Sequence, residues 1–308
     1  MKLAVPDLIS NSYFPAIAAI DLGFFAAEGL DVELELLFPV NRTYEALREG
    51  EIAFVAGSAH SALAAFPRFI GQRLICAQGQ GMYWFLVMSK ALASARGDLS
   101  CVKGKRIGAA PWVDMGLKQL LIAAGYDLVR DDITIMPVPG AGSGTSSVNF
   151  GLMAAEALAA GKIDGFWANG MGTQVALNAG AGDIVIDVRR GDEPKSAFDY
   201  TFASIATSDT VLAKHPGLTA AVCRAMNKTH AALKADVKRA FIVAQKRFPK
   251  AQADLIVPLI ERDLPYYSTA ISPATVSGMV SFCNDLGLLD RALHHKDIIA
   301  EGACEHWL

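Results

Sequence analysis

Cysteine is scarce in this chain of 308 residues: there are five, Cys76, Cys101, Cys223, Cys283 and Cys304, an odd number with no Cys-x-x-Cys pair. That spacing excludes a disulfide framework and offers no zinc site, so buried free thiols are the expectation. Long apolar runs are missing as well; the longest, 83–88, is far short of the roughly 20 residues that cross a bilayer. Charge of either sign is modest, 28 Lys and Arg against 31 Asp and Glu for a net −3. Such a balance leaves no electrostatic footprint for nucleic acid and no block of like charges for an anionic membrane. No His-Glu-x-x-His, Gly-x-Ser-x-Gly or Gly-Lys-Ser/Thr string occurs, so the sites those motifs build are not encoded.

What is present is a 52% hydrophobic chain, long enough for two domains of ordinary size. Strand and helix patterns alternate, which predicts an α/β fold with mostly parallel sheets. Strands at 3–5, 31–37, 52–56 and 73–78 enclose helices at 12–28, 42–49 and 58–66. A second cycle sets strands at 106–108, 133–138, 163–167 and 183–187 around helices at 114–124, 151–160 and 172–178. The chain builds the same kind of lobe twice. Two extended apolar stretches, 83–90 and 200–207, read as crossover strands, and the helices at 216–233, 237–248, 251–261 and 273–286 pack back on the first lobe. Lobe 1 is thus expected over 1–86 plus 206–308, and lobe 2 over 87–205.

The string Leu22-Gly23-Phe24-Phe25-Ala26-Ala27-Glu28-Gly29-Leu30-Asp31-Val32-Glu33-Leu34 resembles the signature of a group of periplasmic substrate-binding proteins of ABC importers. That group serves aliphatic sulfonates, taurine, nitrate and thiamine-precursor pyrimidines. Supporting strings are Leu47-Arg48-Glu49-Gly50-Glu51-Ile52-Ala53-Phe54, Gly104-Lys105-Arg106-Ile107-Gly108, Ala157-Leu158-Ala159-Ala160-Gly161-Lys162-Ile163-Asp164-Gly165-Phe166 and Lys214-His215-Pro216-Gly217-Leu218, in the family's order. In the signature, Gly23 reads as a close-packing position, Phe24 and Phe25 as core, and Gly29 as the helix stop.

The resemblance implies a type II periplasmic-binding-protein fold, two α/β lobes joined by two crossover strands with a ligand cleft between them. It also implies hinge closure, expected at 88–90 and 204–207, on a small organic solute that is a sulfonate, amine-bearing, or aromatic and pyrimidine-like. An ABC permease is the expected partner, for a monomer with no cofactor, no metal and no catalytic residue. No apolar stretch after Met1-Lys2 has the length of a signal peptide's core, so the expected location is periplasmic where such a peptide was removed and cytoplasmic otherwise. The fold also hosts cytoplasmic enzymes. The alternative is therefore an enzyme or ligand sensor acting on a small aromatic or pyrimidine-like molecule, with His60 and Asp114 as its acid–base pair. The cysteine-rich motif of the pyrimidine-synthesising type is absent. Asn11 and Ser12 stand where the sulfinate-cleaving type carries a nucleophilic cysteine.

In such folds ligands lie beyond the carboxyl ends of strands, where helices begin. The loops there offer Asn11, Ser12 and Tyr13, then Ser58 and His60, then Tyr83 and Trp84. From the second lobe come Trp112 and Asp114, Ser143 in the Gly-rich lid 140–147, and Trp167 with Asn169. Each has a bland reading too. Ser58 fits a helix N-cap, His60 a partly exposed residue at a helix start, and the pair His294-His295 a solvated tail; core packing explains one of the three tryptophans easily, while three in one region favour a flat or aromatic ligand, or a cation held against ring faces. Arg42, expected between a strand and a helix, suits a sulfonate or carboxylate, or plain solvent.

Overall fold

The computed structural model describes residues 1–8, 11–140, 150–192 and 194–308. The chain forms two compact units, Met1–Gly81 with Thr201–Leu308, and Met82–Tyr200. The first unit opens with β1 (Lys2–Val5), α1 (Phe14–Asp21), α2 (Phe24–Ala27), β2 (Glu33–Leu36), α3 (Val40–Glu49), β3 (Phe54–Ser58) and β4 (Gln72–Gly79). The second holds β5 (Phe85–Ser89), β6 (Arg106–Ala109), α4 (Asp114–Ala123), β7 (Thr134–Met136), α5 (Phe150–Ala159), β8 (Gly165–Ala168), α6 (Gly170–Asn178) and β9 (Gly182–Asp187). The chain then returns to the first unit through β10 (Ala203–Ser208). It ends in α7 (Asp209–Lys214), α8 (Leu218–Ala235), α9 (Arg239–Arg247), α10 (Lys250–Asp263), α11 (Pro273–Asp285) and α12 (His295–Ile298).

The doubling read from the sequence is real. Among the described residues the sheet orders are β2-β1-β3-β10-β4 and β7-β6-β8-β5-β9, the same topology twice. In each sheet the fourth position is an antiparallel strand delivered from the other end of the chain's path, β10 in one and β5 in the other. The inner parallel strands β3 and β8 are buried along their whole length because both faces of the sheet are covered there, while β2 at the edge alternates Glu and Leu and stays partly exposed. In the second unit α5 and α6 touch backbone to backbone, and a Cβ on Gly172 would lie 2.4 Å from the carbonyl oxygen of Gly151.

Some elements differ from expectation. The helix expected over 12–28 is two, because Gly23 takes φ +79° and breaks it. Nothing lies within 4 Å of a Cβ built there, so Gly23 serves backbone geometry rather than close packing. Phe25 fills the core while Phe24 is only half-buried, and Gly29, at φ +75°, stops the helix as expected. The segment after β3 is a 3₁₀ turn, Ala59–Ala64, not an α-helix. The segments expected as hinges are largely strand. Met88 and residues 204–206 sit in β5 and β10 with strand neighbours on both edges, and Thr207 pairs with Arg73 of β4, which restricts the torsional freedom a hinge requires.

Two buried ionisable groups set the first unit's response to pH. Asp21, at the end of α1, accepts from Arg247 at 2.7 Å and Lys246 at 2.6 Å on α9. Burial opposes its charge, but the two cations hold its carboxyl below the ordinary range. His230, on α8, stacks on Tyr267 with ring centroids 5.4 Å apart, and its Nε2 has no hydrogen-bond partner. Burial lowers its pKa from 6.5 to about 3. Because the folded value lies below the unfolded one, the unfolded chain takes up the proton first. Stability is therefore full above pH 6.5 and falls as pH drops toward 3. Melting temperature measured across that window should decline in the wild type, and His230→Gln should flatten the decline. Asp21→Asn should cost about 2 kcal/mol in urea unfolding near neutral pH, since it strips a buried partner from two cations.

Candidate functional site

Register places the chemistry. Ala203 in β10 pairs with Ser58 in β3 and with Gly79 in β4, so the ends of β3 and β4 meet the start of β10. At this end of the first unit the side chains are polar, buried and hydrogen-bonded to one another. Asn11 donates from Nδ2 to Asp263 Oδ2 at 3.0 Å, and its carbonyl accepts the Tyr267 hydroxyl at 2.6 Å. Ser12 is buried, and Tyr13, buried as well, precedes α1. Ser58 makes no capping bond; its hydroxyl lies 2.6 Å from that of Ser61, and its carbonyl accepts from Tyr44 at 3.0 Å. The Nδ1 of His60 is 2.9 Å from Thr201 Oγ1, and its ring meets the edge of Phe282 at 5.4 Å.

The second unit gathers aromatics at the corresponding end. Tyr83 lies beside Trp84 at 5.1 Å between centroids, and Trp84 meets Trp167 edge-on at 6.1 Å. The guanidinium of Arg189 sits 5.6 Å over the Tyr83 ring. Trp84 also packs on α4, where a Cβ on Gly116 would come within 2.9 Å of its ring. Trp167, fully buried, donates from Nε1 to the carbonyl of Val113 at 3.1 Å. The two rings are thus scaffold: they pin the loop between β6 and α4. In that loop Trp112 holds φ +70°, a left-handed conformation costly for a large side chain, and remains only half-buried.

Among the described residues, one carboxylate and one amide oxygen in this unit are buried without donors. Asp114 opens α4; its Oδ1 is buried without a partner, and burial raises its pKa against the backbone N–H groups that pull it down. Asn169 precedes α6, is only 6% exposed, and makes no capping bond; its Oδ1 is likewise buried without a donor. Asp114 also borders a cavity of about 400 Å³ lined by Lys118, Leu128 and residues 133–135.

The remaining candidates fall elsewhere. Arg42 lies inside α3 rather than ahead of it, and its exposed guanidinium pairs with Glu45 one turn on. Ser143 and the lid expected over 140–147 lie outside the described residues except for Gly140. His295 is no solvated tail residue: its Nε2 is 2.7 Å from the carbonyl of Ile271 and its ring meets Trp307. It borders a cavity of about 650 Å³ with Arg73, His215 and Lys296. Because Arg73 pairs with Thr207 near the far end of β10, this cavity lies away from the polar cluster. Among the described residues no group of three His, Cys, Asp or Glu is placed to hold a metal, and no helix is long and apolar enough to cross a membrane.

Sequence reasoning missed Gln78, Thr201, Asp263, Tyr267 and Arg189. Gln78 carried a signal: it is a polar residue closing the apolar run of β4 and is wholly buried. The others come from segments distant in the chain and had none.

Two units of identical sheet order, each crossed by one antiparallel strand, define a periplasmic-binding-protein fold. The chain is similar in structure to the alkanesulfonate-binding protein SsuA from Xanthomonas axonopodis pv. citri bound to MOPS: TM-score 0.71, 14% identity, 98% of this chain and 96% of that one. The periplasmic nitrate-binding protein NrtA from Synechocystis matches at TM-score 0.63 and 15% identity, over 85% of this chain and 69% of that one. DszB in complex with biphenyl-2-sulfinic acid matches at TM-score 0.66 and 14% identity, over 99% and 97%. No family model and no curated protein sequence matches the chain.

Trp167→Phe keeps a ring in place but strands the Val113 carbonyl. It should lower stability by about 1 kcal/mol in chemical unfolding. With the loop released, the fluorescence of Trp112 should shift to the red.

Proposed function

We propose that this chain is a solute-binding protein that takes up a small organic solute and delivers it, in the periplasm and as a monomer, to an ABC permease. The chain passes between units at 81–82 and 200–201, and those two junctions are where closure would turn. The observation that carries the reading is the pair of buried, donorless acceptors, Asn169 Oδ1 and Asp114 Oδ1, beside an aromatic cluster at the ligand-binding end of an α/β sheet. A buried acceptor left unpaired costs stability, and a bound solute would remove that cost. Likeness in fold to proteins described as sulfonate- and nitrate-binding supports the same reading. Binding needs no bond to break, only a higher affinity for the closed form.

A thermal-shift panel of alkyl sulfonates, nitrate, aliphatic amines, aminopyrimidines and aromatic acids tests this. A true solute at ~1,000 times its Kd should add about 4 kcal/mol, a rise of several degrees. Mass analysis should recover it unchanged. A solute recovered as a different molecule, or no shift with any member, would overturn the proposal.

A further inference from the structure

Between positions 214 and 250 the chain carries nine Lys and Arg against one acid, Asp236, although its net charge is −3. Spread along the sequence, they form no run of like charge. In the fold they sort into two kinds. Arg224 and Lys228 of α8 donate to Glu28 at 2.7 and 2.6 Å, and Lys246 and Arg247 of α9 donate to Asp21. Each carboxylate faces two cations, so one positive charge is left over at each. Lys250 is offset by Asp254. Lys234, Lys238 and Arg239 gather at the corner where α8 passes into α9; all three are exposed and, among the described residues, none forms an ion pair.

Helix stability does not account for that corner. A cation favours the last turn of a helix, whereas Lys238 caps α9 and Arg239 opens it, at the positive end of the dipole, with no acid in the first turn. The apolar residues of α9 are also reversed from the usual order. Ala240, Val243 and Ala244 are buried, while the larger Phe241 and Ile242 are 37% and 59% exposed. Ile242 lies one turn from Lys238, Arg239 and Lys246, which sets the exposed pair among cations. Apolar side chains exposed beside Lys and Arg on one helix are the composition that seats in the headgroup layer of an anionic bilayer.

We propose that the outer face of α9, with the corner formed by Lys234, Lys238 and Arg239, is a docking surface for a membrane of anionic phospholipid. Charge complementarity gives the sign of the occupant. The apolar pair selects a bilayer over an acidic protein, because a fluid headgroup layer accepts protruding Phe241 and Ile242 with no preformed pocket. Attachment is peripheral, since among the described residues no helix is long and apolar enough to cross a membrane. Docking of this kind does not depend on which solute the chain binds, or on its binding one.

Co-sedimentation of the whole chain with vesicles of equal parts phosphatidylglycerol and phosphatidylcholine tests this. The wild type should bind them and should leave vesicles of phosphatidylcholine alone unbound. Raising salt from about 0.05 to about 0.5 M should release it, because screening weakens exposed charges. K238E/R239E should bind about tenfold more weakly. Acids at the start of α9 suit its dipole, so that loss would not come from unfolding, which circular dichroism verifies. K162E, a reversal in the second unit, should bind as the wild type does. I242S, which leaves the charge unchanged, should lose about threefold. Should K238E/R239E not fold, the salt response and I242S decide. No binding to the anionic vesicles, equal binding to both kinds, or a folded K238E/R239E that binds like the wild type overturns the assignment. Full binding by I242S overturns the bilayer as occupant and leaves a face matched by charge alone.

Discussion

The insertion of β10 between β3 and β4 is the constraint on which the first unit depends. The strand arrives after the whole second unit has been built, yet it completes the sheet. Its antiparallel register brings Thr201 against His60 and the Ser204 carbonyl against Gln78. Gln78 in turn holds the start of α1. Without that ladder the buried amide and imidazole would each lose a partner, and burial of such groups is tolerable only when they are paired. The second unit repeats the device with β5, which runs between β8 and β9 and carries Tyr83 and Trp84 at its head. Each sheet is therefore finished by a segment that belongs, in sequence, beside the other unit.

Energetically the two sheet ends are unlike. At the first, the hydroxyls of Ser58 and Ser61, the amides of Asn11 and Gln78 and the imidazole of His60 have neighbours as partners. The second is left incomplete, with two donorless oxygens and a tryptophan held at positive φ. Trp167 and Trp84 secure that loop by a hydrogen bond and ring packing. Strain and unsatisfied polar groups are what a binding site retains and a purely structural region discards.

Much of the architecture was legible in the residues. Alternating patterns foretold two similar α/β cycles, and most strands lie within two residues of expectation. The failures were local and physical. Gly23 looked like a packing glycine inside one helix because the apolar period continues through it, and only the backbone torsion reveals the break. The expected hinges were placed on extended apolar segments, the composition that also makes a central strand. Tryptophans in loops suggested a flat ligand, yet Trp84 and Trp167 turned out to pack on each other and on the loop they brace.

The sequence by itself determined the fold class, the doubled sheet and the loops that carry polar and aromatic residues, because those follow from periodicity and local backbone preference. Tertiary structure alone decided which of those residues are spent and which remain open. Asn11 and Asn169 are the same side chain in similar loops, but Asn11 finds Asp263 more than 250 residues away, with a separation of 252, while Asn169 finds no donor. Satisfaction of a hydrogen bond is a property of pairs, and when the pair spans most of the chain, no local pattern can record it.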